Sequence, residues 1–356
     1  MAGWLLAAFP LAQFFCTPIL GQLSDRFGRG KILALSIGGT ALSYVLFAFG
    51  IYNKSLTLLF VSRIIDGVSG GNISVAQAVI GDISQPRDRA KNFGLIGVAF
   101  GVGFILGPFV GGKLSDPLLV SWFNVATPFW IAAILSIFNM LLVLRFLPET
   151  LKVKSSKLID ITRPFNNLQK AFLYVKIRDV VIAIFLFNAG FTFFTTFWGI
   201  VLADQYGFTQ GRIGNYFAYI GIMIVLAQGL VVRRLSGRVQ DYKVLHYSII
   251  GVGVCLLMYY LVPKGNDIWL YYIPPFLALF SALTRAFSSA LLTRVAPDAI
   301  LGEVMGISSS ATALAQAIPA VLAGYIATGH ASLPVLVGAI VTIFGGVLFI
   351  RTFKSK

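Results

Sequence analysis

Eleven stretches of mostly apolar residues, each about as long as a bilayer core is thick, constrain this chain more than any other feature. They cover 2–20, 32–51, 56–80, 93–112, 127–147, 180–203, 213–232, 244–262, 268–292, 304–328 and 333–353. A helix rises 1.5 Å per residue, so about 20 apolar residues cross the ~30 Å hydrocarbon core. Composition agrees: 57% of the residues are hydrophobic and 12% charged, against roughly 25% charged in a soluble domain. A water-soluble fold of this length has no interior large enough for so much apolar surface. The reading is an all-α membrane protein with eleven predicted transmembrane helices, solvated by the lipid bilayer.

A formal charge of +15 raises the question of nucleic acid. The placement of the charges answers it. Alternate loops are basic: Arg26, Arg29 and Lys31; Arg87, Arg89 and Lys91; a long central run from Arg145 to Arg178; Arg233, Arg234, Arg238 and Lys243; Arg294; and the tail. These hold 22 of the 28 basic residues. The intervening loops hold only Lys54, Lys113, Arg212 and Lys264. That bias is the positive-inside pattern, which places the basic loops and the C-terminus in the cytoplasm. No nucleic-acid partner is expected.

Cys16 and Cys255 fall inside apolar stretches without metal-ligand spacing, and His246 and His330 sit at helix ends far apart in sequence. No metal, cofactor or cleavable leader is expected. Glycines between Gly97 and Gly103 imitate a dinucleotide loop, but they lie inside an apolar stretch rather than after a strand, so that reading fails on context. With no nucleophile–base pair either, an enzyme is not expected.

The chain also repeats itself. Leu23-Ser24-x-Arg26 matches Leu235-Ser236-x-Arg238, and Lys31-Ile32-Leu33 matches Lys243-Val244-Leu245, both 212 residues apart. Two halves follow: an N-terminal bundle of five helices over 1–147, a basic cytoplasmic linker over 148–179, and a C-terminal bundle of six helices over 180–356. Superposing the halves leaves the first without its opening helix. A truncated or late start is the expectation, with a natural eleven-helix chain as the alternative.

The most specific stretch is Gly21-Gln22-Leu23-Ser24-Asp25-Arg26-Phe27-Gly28-Arg29-Gly30-Lys31. It resembles the Gly-x-Leu-x-Asp-Arg-x-Gly-Arg signature of the major facilitator superfamily, departing at Gly30, where the family usually has a second base. The resemblance implies a twelve-helix fold of two pseudo-symmetric bundles around a central site. It also implies a gate role for Gly21, Asp25, Arg26, Gly28 and Arg29, with Arg29 reaching Asp82. Further along, Arg63, Asp66, Gly70, Ser74 and Gln77 recur at the spacing of one helical face. Charges at bilayer depth cost about 2.5–3.5 kcal/mol each, so a face carrying two points into a wet interior. A paired Arg63–Asp66 that only braces the bundle is the plainer reading. This stretch resembles the fourth-helix Arg motif of the superfamily, which implies proton coupling. Gly97, Gly101, Gly107-Pro108 and Gly111-Gly112 resemble its fifth-helix antiporter signature, and small residues at this spacing let helices approach closely.

Together the motifs look most like the tetracycline-efflux branch of drug:proton antiporters. In the second half, Asn188, Thr192 and Thr195 share a face of a helix crowded with Phe191, Phe193, Phe194, Phe197 and Trp198, rings that either line a site or face lipid. Ser281, Arg285 and Ser288 form another stripe, and an intramembrane Arg is a functional candidate by default. The expected function is export of a small organic or amphiphilic substrate in exchange for protons, by a monomer in the plasma (inner) membrane. The rivals are proton-coupled nutrient uptake, a non-transporting scaffold or sensor, and an inactive truncated form.

Overall fold

The computed structural model describes residues 1–84, 99, 102–103, 106–151, 159–160, 162, 175–235, 237–265, 267–296 and 301–353. Eleven helices carry these residues: α1 (Ala2–Phe27), α2 (Arg29–Tyr52), α3 (Leu56–Ser69), α4 (Asn72–Ile83), α5 (Thr127–Phe146), α6 (Val175–Tyr206), α7 (Gln210–Leu226), α8 (Asp241–Leu261), α9 (Ile268–Val295), α10 (Leu301–Ile326) and α11 (Leu333–Thr352). Residues 106–114 are also helical. Among the described residues, nine helices are long and apolar enough to span a bilayer.

One predicted span is not a single helix. The stretch 56–80 breaks at Gly70–Gly71 into α3 and α4. Two glycines in succession give up side-chain packing and helix propensity together, which makes this the weakest point of the stretch. The one-face reading therefore holds for Arg63 and Asp66 but does not extend through Gly70 to Ser74 and Gln77. Gly70 and Gly71 lie where α1 crosses: a Cβ on Gly70 would stand 3.0 Å from the Phe9 ring, and one on Gly71 2.8 Å from Thr17 Cα. The Gln13 side chain donates to the Gly70 carbonyl at 2.9 Å, so a carbonyl freed by the break keeps a partner. A second irregularity follows α7, where Ala227–Val232 winds as a π-helix before Arg233–Leu235.

The described chain divides into two compact units. One holds residues 1–4, 101–112 and 165–356; the other holds 5–100 and 113–164. In the second of these, α2 packs on α3, α4 and α5. Helix α5 buries only Thr127 and Ala133, while Ile134, Leu135, Phe138, Leu141 and Leu144 are exposed. Such a face is tolerable only against hydrocarbon. In the larger unit, α8 packs on α9 and α11, and α6 on α10 and α11. Its core holds Phe194, Trp198, Tyr216, Tyr259 and Leu270, with the Tyr216 hydroxyl donating to the Leu270 carbonyl at 2.9 Å. Phe193, Phe194, Phe197 and Trp198 are all buried in protein, so these rings do not face lipid.

Candidate functional site

Gly28 ends α1 and caps α2 in a backbone conformation, φ +109°, that residues with a Cβ rarely adopt. This turn presents Arg29 as the first residue of α2. A cation there opposes the helix dipole, and acidic groups surround it. Its Nη1 lies 2.5 Å from Asp25, and its Nε donates to Asp82 at 3.1 Å. Nη1 also donates to the Ser24 hydroxyl at 2.7 Å, while the Arg29 backbone N–H donates to Glu149 at 2.9 Å. Thr150 donates to Asp82 at 3.2 Å. Arg29 is the hub of this cluster; Arg26 instead lies exposed over the Phe27 ring. Gly21 faces Ser74.

Glu149 was missed by sequence reading because it opens a segment legible only as a basic linker. The available signal was an acidic residue placed just past the last helix of a half. A Cβ on Gly28 would crowd its carboxylate, the movable end of a flexible side chain, so it is the positive φ that requires glycine here. Burial pushes this carboxyl up, but N–H groups of Leu151, Arg29, Gly30 and Thr150 outweigh burial and hold it below its ordinary value of 4.5. A depressed carboxylate contributes stability that is fully present above its ordinary value and is lost as pH falls through the folded one. Glu149→Gln keeps an acceptor oxygen and removes only the charge of an exposed, solvent-screened carboxylate, so it should lower stability by about 0.2–1 kcal/mol. The melting-temperature gap from wild type should be constant from pH 5 to 8 and close only below about pH 4.5.

Deeper in the same unit, Arg63 Nη2 lies 3.0 Å from Asp66 Oδ2. Asp66 is 5% exposed, and the guanidinium sits over the Phe47 ring at 4.6 Å. The pairing is one of proximity, since Arg63 Nε and Nη2 are buried without a hydrogen-bond acceptor. Asp66 is the eleventh residue of α3, so it lies about 15 Å from that helix end, half the thickness of the apolar core. Ser74 is committed elsewhere: its hydroxyl donates to the Thr17 and Gly71 carbonyls at 3.2 and 2.8 Å. Gln77 is half-buried.

In the larger unit, Arg285 lies over two rings, 5.5 Å from Phe187 and 5.2 Å from Phe191. It makes no ion pair with any described residue. Ser281 and Ser288 bond to carbonyls of their own helix. The hydroxyls of Thr192 and Thr195 likewise bond back along α6, as does the Asn188 amide. Their acceptor oxygens remain for other partners. Of the glycine-rich helix, Gly97 and Gly101 lie outside the described residues. Gly112 meets Gly214 of α7 backbone to backbone, and a Cβ on Gly214 would stand 2.7 Å from the Pro108 carbonyl. Gly107 has no described neighbour within 4 Å of an added Cβ.

Comparison with known proteins fits this arrangement. The family model described as Major Facilitator Superfamily matches residues 1–282. The tetracycline resistance protein, class C, of Escherichia coli is 30% identical over 316 residues, covering 88% of this chain and 76% of its own length. Major facilitator superfamily domain-containing protein 10 of Mus musculus is 27% identical over 348 residues, covering 91% of this chain and 72% of its own. The crystal structure of the human organic anion transporter MFSD10 (TETRAN) superposes with a TM-score of 0.74 at 24% identity, covering 98% of this chain and 83% of that one. At that identity the likeness shows the fold. The chain is an integral membrane protein and belongs to the major facilitator superfamily of transporters.

Proposed function

We propose that the chain exports small organic molecules in exchange for protons, working as a monomer in the plasma membrane with its C-terminus in the cytoplasm. The observation that carries this reading is Asp66, a carboxylate near mid-membrane depth beside an Arg63 whose Nε and Nη2 are buried without hydrogen-bond acceptors among the described residues. A cargo that donates to Asp66 competes with the proton for the same oxygens. Competition of that kind is what antiport requires: one of the two ligands occupies the carboxylate on each leg. Arg285 over Phe187 and Phe191 suits an anionic or aromatic part of the cargo. Names among the relatives, tetracycline resistance and organic anion transport, support cargo of this size and chemistry.

A second reading is favoured by Arg285, which pairs with no carboxylate among the described residues. A cargo carrying negative charge only is attracted more strongly when Asp66 is protonated, so it would travel with the proton, as in uptake. The sign of proton movement separates the two. Purified full chain in liposomes, with a pH dye inside, receives tetracycline or p-aminohippurate outside. Antiport alkalinises the lumen; co-transport acidifies it. No pH change with either probe, under conditions where the probe enters, removes proton coupling altogether.

A further inference from the structure

The repeat places a second charge tie where no motif announces one. Helix α2 begins at Arg29 and α8 at Asp241; α3 begins at Leu56 and α9 at Ile268; α4 ends at Ile83 and α9 at Val295. Each of these pairs is separated by 212 residues, so the helix boundaries of the halves coincide here. In the first half, Arg29 opens α2 and meets Asp82, the next-to-last residue of α4, with Nε 3.1 Å from Oδ2. In the second half, Asp241 opens α8 and meets Arg294, the next-to-last residue of α9, with Nε 3.0 Å from Oδ2. Position, atoms and distance repeat. The signs are exchanged.

We propose that Asp241–Arg294 is a charge-inverted counterpart of the Arg29–Asp82 tie, holding the ends of α8 and α9 together on the side of the basic loops. Three observations carry the proposal. Asp241 is 4% exposed, and a carboxylate so buried needs a compensating charge. Its Oδ2 has no hydrogen-bond donor, so the Arg294 guanidinium is the compensation it has among the described residues. Two turns along α8, the Ser248 hydroxyl accepts from Thr284 of α9 at 2.9 Å, continuing the same seam. The inversion also explains why the first half needs Glu149. Arg29 has the wrong sign for a helix N-terminus and requires added acidic groups, whereas Asp241 has the right one. The plainer alternative is that Asp241 serves α8 alone, through that dipole, with the exposed Arg294 incidental.

A buried reporter separates these, and it depends on neither cargo nor transport direction. In a full-length background lacking Cys16 and Cys255, Ser248→Cys places a thiol at a position 1% exposed. Its rate of labelling by a water-soluble maleimide reports opening of the α8–α9 seam. Asp241→Asn and Arg294→Gln should each speed labelling at least fivefold, and Arg294→Lys less than twofold. The exchange Asp241→Arg with Arg294→Asp rebuilds the arrangement of the first half and should return the rate to within twofold of background. Arg294 is 62% exposed at its side chain, so its replacement by Gln removes little packing, and gel filtration verifies the fold. An unchanged rate in Arg294→Gln overturns the proposal. So does an exchange variant that labels as fast as the single variants.

Discussion

Replacing Asp66 with Asn should abolish proton-driven accumulation of cargo, lowering the uphill rate at least tenfold, while downhill exchange of cargo persists. Asn keeps the size of the side chain and removes the group that titrates. The energetic consequence is separable from the functional one. Removing one partner of a buried ion pair costs about 3–5 kcal/mol when the other charge is left wholly uncompensated. Arg63 retains 19% side-chain exposure and the Phe47 face at 4.6 Å, so the loss should fall below that range. The double variant Arg63→Gln/Asp66→Asn removes both charges and should recover the melting temperature without recovering accumulation. If Asp66 merely braces the bundle, the double variant restores transport together with stability. Uphill transport at the wild-type rate in Asp66→Asn ends its role as the coupling carboxylate.

The parts of this molecule that could be read from sequence are those governed by short-range rules. Apolar length located the nine helices long enough to span among the described residues, and the stretch carrying Asp25 and Arg29 announced itself through its resemblance to a superfamily signature of glycine, acid and base at fixed spacing. What escaped depends on contacts distant along the chain. Glu149 lies 120 residues beyond the backbone N–H that it accepts from, and its one local sign, an acid just past the last helix of a half, does not name that partner. The Gly70–Gly71 break escaped because apolar helices tolerate glycine, so only the crossing of α1 shows why two stand together. Asp241 and Arg294 were within reach of the 212-residue repeat. They escaped because a search for similar residues passes over a pair whose charges are exchanged. The aromatic residues of α6 illustrate a further limit: periodicity says that a face is apolar, but not whether lipid or protein covers it. Here Phe194 and Trp198 stack on each other at 5.2 Å inside the core.

Arg285→Ala should weaken binding of an aromatic anion at least tenfold and leave the melting temperature within a few degrees of wild type. Arg285 lies ten residues from the end of α9, about 15 Å along the helix axis and hence near mid-membrane. A cation held there costs about 2.5–3.5 kcal/mol, and the two phenylalanine faces return only part of it, about 0.5–2 kcal/mol. A structural arginine at this depth would be expected to have a carboxylate, and none of the described residues supplies one. The deficit is removed when a bound anion supplies the missing charge, through a charge-assisted hydrogen bond of about 1.5–3 kcal/mol. That range corresponds to roughly a 10- to 150-fold change in affinity. Arg285→Lys should fall between, since it keeps the charge but loses the planar fork and the stacking on Phe187 and Phe191. Phe191→Leu should cost less than either, because it removes a ring and leaves the cation. Calorimetric titration of the purified chain with p-aminohippurate measures all four proteins on one scale. Equal affinity in wild type and Arg285→Ala would show that the guanidinium does not meet the anion. A large fall in melting temperature with unchanged affinity would assign it to packing instead.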